Sequence, residues 1–168
     1  MDREAALRRL GAARVGRLAT ADAGGVPHVV PFVFALHGET VYWAVDRKPK
    51  RSLDLRRIRN IRENPNVELV VDHYEDDWGK LWWVRARGTA RLVEDEGERE
   101  RALRLLASKY EPYRESPPPG PVVAVDLTGV SWWEAGAQPP LESGQPPRTP
   151  RRDAPRAPRR PRTRPRSP

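Results

Sequence analysis

Between Leu81 and Leu92 the chain alternates with a strict period of two. Trp82, Val84, Ala86, Gly88, Ala90 and Leu92 are interleaved with Trp83, Arg85, Arg87, Thr89 and Arg91. Side chains of an extended strand point to opposite faces in turn, so this stretch predicts a half-buried strand with one apolar and one basic face. A fold built around it must supply a sheet, and the rest of the chain is read for its other strands.

Val15 to Thr20 reads as a first strand and Val26 to Leu36 as a second, nearly all apolar and so covered on both faces. Ala23-Gly24-Gly25 supplies the turn between them, because glycine enters positive φ without steric cost. His37-Gly38-Glu39 turns the chain into a third strand, Thr40 to Val45, which predicts an antiparallel meander. Val67 to Tyr74 is a fourth strand, Leu81 to Leu92 the fifth, and Val122 to Leu127, continuing loosely to Trp133, the sixth.

Helices are predicted over Ala5 to Ala12, from an N-cap at Ser52 to about Glu63, and over Glu98 to Tyr110. Asn64-Pro65 ends the second, since proline disfavours helix for the residue before it. The expectation is a mainly β fold with α: a six-stranded antiparallel barrel carrying two or three helices, closed rather than left with exposed edges.

Charge separates the chain into two parts. The 168 residues carry a formal +8, which taken whole points to an anionic partner. Residues 137–168 hold nine Arg, no Lys, one Glu and one Asp, a charge of +7, while the remaining 22 basic and 21 acidic residues leave +1. Ten of the 19 prolines also lie in residues 137–168, a composition that cannot bury enough apolar surface to offset chain entropy. A barrel domain over 1–136 and a disordered Arg/Pro-rich tail over 137–168 are therefore expected. The tail is at most a weak, salt-sensitive binder of polyanions such as nucleic acid. The absence of cysteine excludes thiol chemistry and disulfides. The charged start Met1-Asp2-Arg3-Glu4 precedes no apolar run suited to a signal or a membrane span, so a cytoplasmic location without membrane contact is expected.

Three clusters suggest chemistry. The segment Arg47 to Arg62 sets Arg47, Lys48, Lys50, Arg51, Arg56, Arg57, Arg59 and Arg62 against the single acid Asp54. Basic runs are commonly solvated helix faces, but Lys48-Pro49-Lys50-Arg51 precedes the helix, where free backbone N–H groups also favour a phosphate. Six tryptophans, Trp43, Trp78, Trp82, Trp83, Trp132 and Trp133, exceed what a small core needs and suit a flat heteroaromatic ligand. The acidic loop Asp72-His73-Tyr74-Glu75-Asp76-Asp77 matches no standard metal spacing, and no metal is expected. No phosphate-binding P-loop, Rossmann fingerprint or Gly-x-Ser-x-Gly elbow is present.

The order Arg17-Leu18-Ala19-Thr20, Gly25-Val26-Pro27-His28-Val29-Val30-Pro31, Val41-Tyr42-Trp43-Ala44-Val45-Asp46, Lys48-Pro49-Lys50-Arg51, Asn60-Ile61-Arg62-Glu63-Asn64-Pro65-Asn66-Val67 and Trp82-Trp83-Val84-Arg85-Ala86-Arg87-Gly88-Thr89-Ala90 resembles the split-barrel flavin-binding proteins of the pyridoxamine 5'-phosphate oxidase-like superfamily. Within it, the sequence resembles the deazaflavin-dependent reductases. The resemblance covers residues 5 to 134. It implies a homodimer with the cofactor ring at the subunit interface and its phosphate held by basic residues after the third strand. Carried onto this chain, it implies that Lys48, Lys50, Arg51 and Arg57 hold the phosphate. It also implies that His28, Val30 and Pro31 line the ring and that Trp78 closes the site; it assigns no catalytic side chain.

The activity so implied is an oxidoreductase that uses coenzyme F420 to pass hydride to or from a small organic substrate. The alternatives are an FMN-dependent oxidase or reductase on the same barrel and a non-catalytic protein that binds a flavin, a deazaflavin or a heme.

Overall fold

The computed structural model describes residues 1–46 and 55–136. The expected tail and the expected N-cap Ser52 lie outside the described residues. The strands form one antiparallel sheet in the order β2-β1-β5-β6-β7-β4-β3. Its members are β1 (Gly16–Ala21), β2 (Pro27–Phe32), β3 (Ala35–His37), β4 (Thr40–Ala44), β5 (Asn66–His73), β6 (Trp82–Leu92) and β7 (Val122–Glu134). The helices are α1 (Arg3–Ala12), α2 (Arg56–Glu63), α3 (Glu96–Lys109) and α4 (Glu111–Glu115). The sheet curls into a split barrel, as the sequence leads one to expect.

There are seven strands where six are expected, because the apolar run Val26 to Leu36 is two strands. Its first part pairs with β1, Gly16 opposite Phe32, and its last part pairs with β4, Ala35 opposite Tyr42. The break at Val33-Phe34 carries the chain between opposite edges of the sheet, so strands one to three are two separate hairpins and not a meander. A continuous apolar run does not reveal this bend, since both halves are covered. The short helix α4 is also absent from the sequence expectation; Pro112, whose missing N–H costs nothing in a first turn, starts it directly after α3.

The register fixes which side chains look inward. Leu18 of β1 lies beside Leu69 of β5, Leu69 beside Ala86 of β6, and Ala90 beside Val125 of β7. These residues join Phe34, Trp43, Val84 and Val123 in the main core, each at most 3% exposed. Each such aliphatic side chain contributes about 1.5–3 kcal/mol on burial. From α1, Ala6 and Leu10 enter this core, and from α2, Ile58 and Ile61 do. A buried hydrogen bond, Asn60 Nδ2 to Thr20 Oγ1 at 3.0 Å, sets how α2 lies on β1.

The outward face is covered over only part of the sheet. Helix α3 packs Ala102 and Leu106 onto Tyr42, Ala44, Val122 and Ala124, making a second core outside β4 and β7. Asp95 caps this helix by accepting from Glu98 N–H at 2.7 Å. The outer side of β2, β1, β5 and β6 has no helix on it among the described residues. By register, Pro31, Arg17, Val70 and Arg85 form one row of that face, and Asp72, Trp83 and Trp133 another.

Candidate functional site

At the seam of the barrel, where β2 leaves the sheet and β4 ends, lies a cavity of about 290 Å³. One wall is apolar: Val15, Pro31, Phe32 and Val33. The other is formed by Trp43, Ala44, Asp46, Arg57 and Tyr113. The barrel brings these together from four elements. Trp43 and Ala44 end β4, Asp46 follows it, Arg57 is the second residue of α2, and Tyr113 is the centre of α4.

Each polar group of the second wall is held in place. Helix α2 turns Ile58 and Ile61 into the core, so the intervening geometry brings Arg57 over the Trp43 ring, with its guanidinium carbon 4.9 Å from the centroid. Tyr113 packs edge-on against Tyr110 at 5.9 Å and donates its hydroxyl to Asp46 Oδ1. Tyr110 is anchored in turn: its hydroxyl accepts from Phe34 N–H at 3.1 Å and reaches Phe34 O at 2.8 Å and Arg14 O at 2.9 Å. The backbone next to Asp46 is fixed by Val45 N–H to Pro121 O and Gly120 N–H to Val45 O, both 3.1 Å. A Cβ on Gly120 would stand 2.5 Å from Val45 O, so only glycine permits this approach.

Burial lowers the pKa of the Arg57 guanidinium, against the opposing pull of the Asp46 carboxylate. Burial, reinforced by the hydrogen bond to Asp46, pushes the Tyr113 phenol well above its ordinary value, so it remains a neutral donor. Two buried N–H donors of the site, Arg57 Nε and Trp43 Nε1, have no acceptor among the described residues. Buried donors without partners cost free energy, on the order of 1–3 kcal/mol each, and an acceptor group entering beside them would recover it. The wall is thus suited to an anion with hydrogen-bond-accepting oxygens, and the facing wall to an apolar ring. A phosphorylated flavin-type cofactor has both.

Of the residues singled out in the sequence, the cavity brings Pro31, Trp43 and Arg57 together. Lys48, Lys50 and Arg51 lie outside the described residues, in the segment joining Asp46 to α2. His28 and Val30 are on β2 with Pro31, but opposite Thr20 and Leu18, whose side chains are buried inward. Strand alternation therefore puts them on the other face of β2 from Pro31, and one ring can meet all three only across the strand's edge. Trp78 is 77% exposed in a 3-10 turn, Trp78–Lys80, between β5 and β6, and is not among the cavity-lining residues. Asp46 and Tyr113 escaped the sequence reading: a lone acid after a strand and a tyrosine after a proline have no spacing signal, since only the tertiary fold joins them. His73 and Glu75, 2.9 Å apart, pair at the surface, and no cluster able to hold a metal is found among the described residues.

Comparison with known proteins bears on the fold. A search of the curated proteins finds no match. Among solved structures, a conserved hypothetical protein of Mycobacterium tuberculosis is similar at a TM-score of 0.68, with 18% identity over 86% of this chain and 93% of that one. An FAD-binding protein of Mesorhizobium loti gives 0.61, with 23% identity over 79% and 94%. A heme storage protein of Vibrio cholerae gives 0.60, with 20% identity over 77% and 94%. At such identities the likeness shows a common fold. The model of the family described as Pyridoxamine 5'-phosphate oxidase matches residues 3–134, nearly the whole of the described barrel, and the chain belongs to that family.

Proposed function

We propose that the protein is an oxidoreductase that binds coenzyme F420 in the seam cavity and serves hydride transfer to or from a small organic substrate. The observation that supports this most directly is the pair of donors without acceptors among the described residues, Arg57 Nε and Trp43 Nε1, in a cavity with an apolar wall; in the sequence, the basic stretch Lys48, Lys50, Arg51 precedes Arg57. When bound, the reduced deazaflavin supplies the hydride. Arg57, with the three cations before α2, binds and orients the phosphate; Pro31, Phe32 and Val33 shield the ring from water. The M. loti relative is an FAD-binding protein, which favours a flavin-type ligand here too.

The bare outer face supports a homodimer. Val29 is 61% exposed, and Pro31, Val70, Trp83 and Trp133 share its side of the sheet. Pro31 belongs to both this face and the cavity wall, so a second copy docked there would border the cofactor. The Trp83→Glu variant is expected to sediment as a monomer; a wild-type monomer, or an unchanged dimer in the variant, counts against this arrangement.

The deciding experiment is titration of the purified protein with coenzyme F420 and, separately, FMN, followed by ligand fluorescence. Low-micromolar or tighter F420 binding with weak FMN binding is expected, and tight FMN binding would replace the deazaflavin with FMN. The double change Lys50→Ala, Arg57→Ala is expected to weaken binding by about 3 kcal/mol, on the order of a hundredfold in Kd; unchanged affinity would refute the phosphate assignment. Bound ligand without turnover on a panel of electron-poor acceptors would favour a binding protein. Removal of residues 137–168 is expected to leave cofactor binding intact and to abolish any polyanion binding. A cytoplasmic location fits this chemistry, and no helix among the described residues is long and apolar enough to cross a membrane.

A further inference from the structure

We propose that Asp46 sets the charge selectivity of the cavity, so that it takes a cofactor whose phosphate is a singly charged diester in preference to a doubly charged phosphomonoester. The inference rests on the cofactor reading above and narrows its ligand class: a deazaflavin joined to its tail through a phosphodiester fits, and FMN, with a terminal phosphate, fits less well.

The geometry carries the argument. Asp46 and Arg57 line the same cavity, and among the described residues the Asp46 carboxylate is held by the Tyr113 hydroxyl, with no ion pair to Arg57. Arg57 Nε has no acceptor among the described residues, and one planar face of its guanidinium lies over Trp43. Among the described lining residues, the charged companion of Arg57 that an entering anion meets is therefore the Asp46 carboxylate. That carboxylate cannot swing away freely, since α4 is tied through Tyr110 to Phe34 and Arg14 and the strand end is tied to Pro121 and Gly120.

The selectivity follows from how energies scale with charge. Attraction to a site of given potential grows in proportion to the ligand's charge, whereas the cost of removing that charge from water grows with its square. A fixed carboxylate trims the positive potential of the site and penalises a dianion twice as much as a monoanion. The doubly charged ligand, which most needs a strong potential to offset its desolvation, is the one that suffers. A phosphomonoester has its second pKa near 6, so at pH 8 it is the dianion.

The test uses the full chain at pH 8 and two ligands with the same ring: FMN and the methyl ester of its phosphate, which differ by one methyl group and one charge. Kd is read by flavin fluorescence quenching for wild type, Asp46→Asn and Tyr113→Phe, with coenzyme F420 titrated in parallel. Wild type is expected to prefer the methyl ester, and Asp46→Asn to shift the ratio towards FMN by about fivefold, as expected for one charge at cavity distance in a partly solvated site. Tyr113→Phe keeps the carboxylate and is expected to keep the preference. An unchanged ratio in Asp46→Asn, or an equal shift in Tyr113→Phe, overturns the proposal, and low-micromolar or tighter binding of coenzyme F420 then leaves the cofactor reading in place. Failure of all three to bind wild type overturns both.

Discussion

Tyr110 shows how a single side chain can organise a site it does not enter. Its hydroxyl serves Phe34 N–H, Phe34 O and Arg14 O, at the bend where the chain passes from β2 to β3. Tyr110→Phe removes that oxygen and leaves the buried Phe34 backbone groups without it. The expected loss is about 1–3 kcal/mol of unfolding free energy, read from urea denaturation; because Tyr113 rests on the same ring, the cavity is expected to loosen as well. Gly88 is a second such point. A Cβ there would lie 2.5 Å from Asp126 O, beside the irregularity between Arg87 and Gly88 where β6 and β7 shift register. Gly88→Ala is expected to cost about 3 kcal/mol and to lower the thermal midpoint accordingly, since backbone and not a flexible side chain stands in the way.

At the scale of elements, α3 is joined to the sheet by charge as well as by packing. Glu98 accepts from Arg91 Nη1 and Nη2 of β6, at 2.9 and 2.7 Å, and from the Tyr42 hydroxyl of β4 at 2.9 Å. The Arg91 hydrogen bonds, above all, draw the Glu98 carboxyl down to about 2. A carboxyl lowered in the folded state contributes stability that is fully present above its unfolded pKa, near 4.5, and is lost as pH falls towards 2. Glu98→Gln is expected to flatten the decline of stability between pH 4.5 and 2, measured by denaturation at a series of pH values; an unaltered slope would mean that other carboxyls govern acid unfolding.

Much of this level was legible in the sequence. The alternation of β6, the proline that ends α2 and the glycine turn at Gly25, where φ is 80°, each reflect local physics that the residues state directly. The α2 start was not legible: Leu55, whose side chain makes no capping bond, occupies the N-cap position. Nor was the split of the second strand, because burial on both sides erases periodicity. The cavity was partly legible, through Pro31, Trp43 and Arg57. Asp46 and Tyr113 meet only because two distant hairpins and a helix converge, and no local pattern encodes that meeting.

For the molecule as a whole, the sheet order has a kinetic consequence. The β1–β2 and β3–β4 hairpins are local and can form early, but they lie at opposite edges of the sheet. Joining them into one barrel requires β1 to find β5, as in the Arg17–Asp72 bond spanning 55 residues, and β4 to find β7, as in the Thr40–Asp126 bond spanning 86. Contacts so far apart in sequence place refolding in the slow range for domains of this size, on the order of milliseconds to seconds. The seam cavity draws its walls from both hairpins and exists only once they have met. A ligand that fits it can thus grip the finished barrel but has nothing to hold on the way there: stopped-flow experiments are expected to show unfolding slowed by cofactor and refolding untouched.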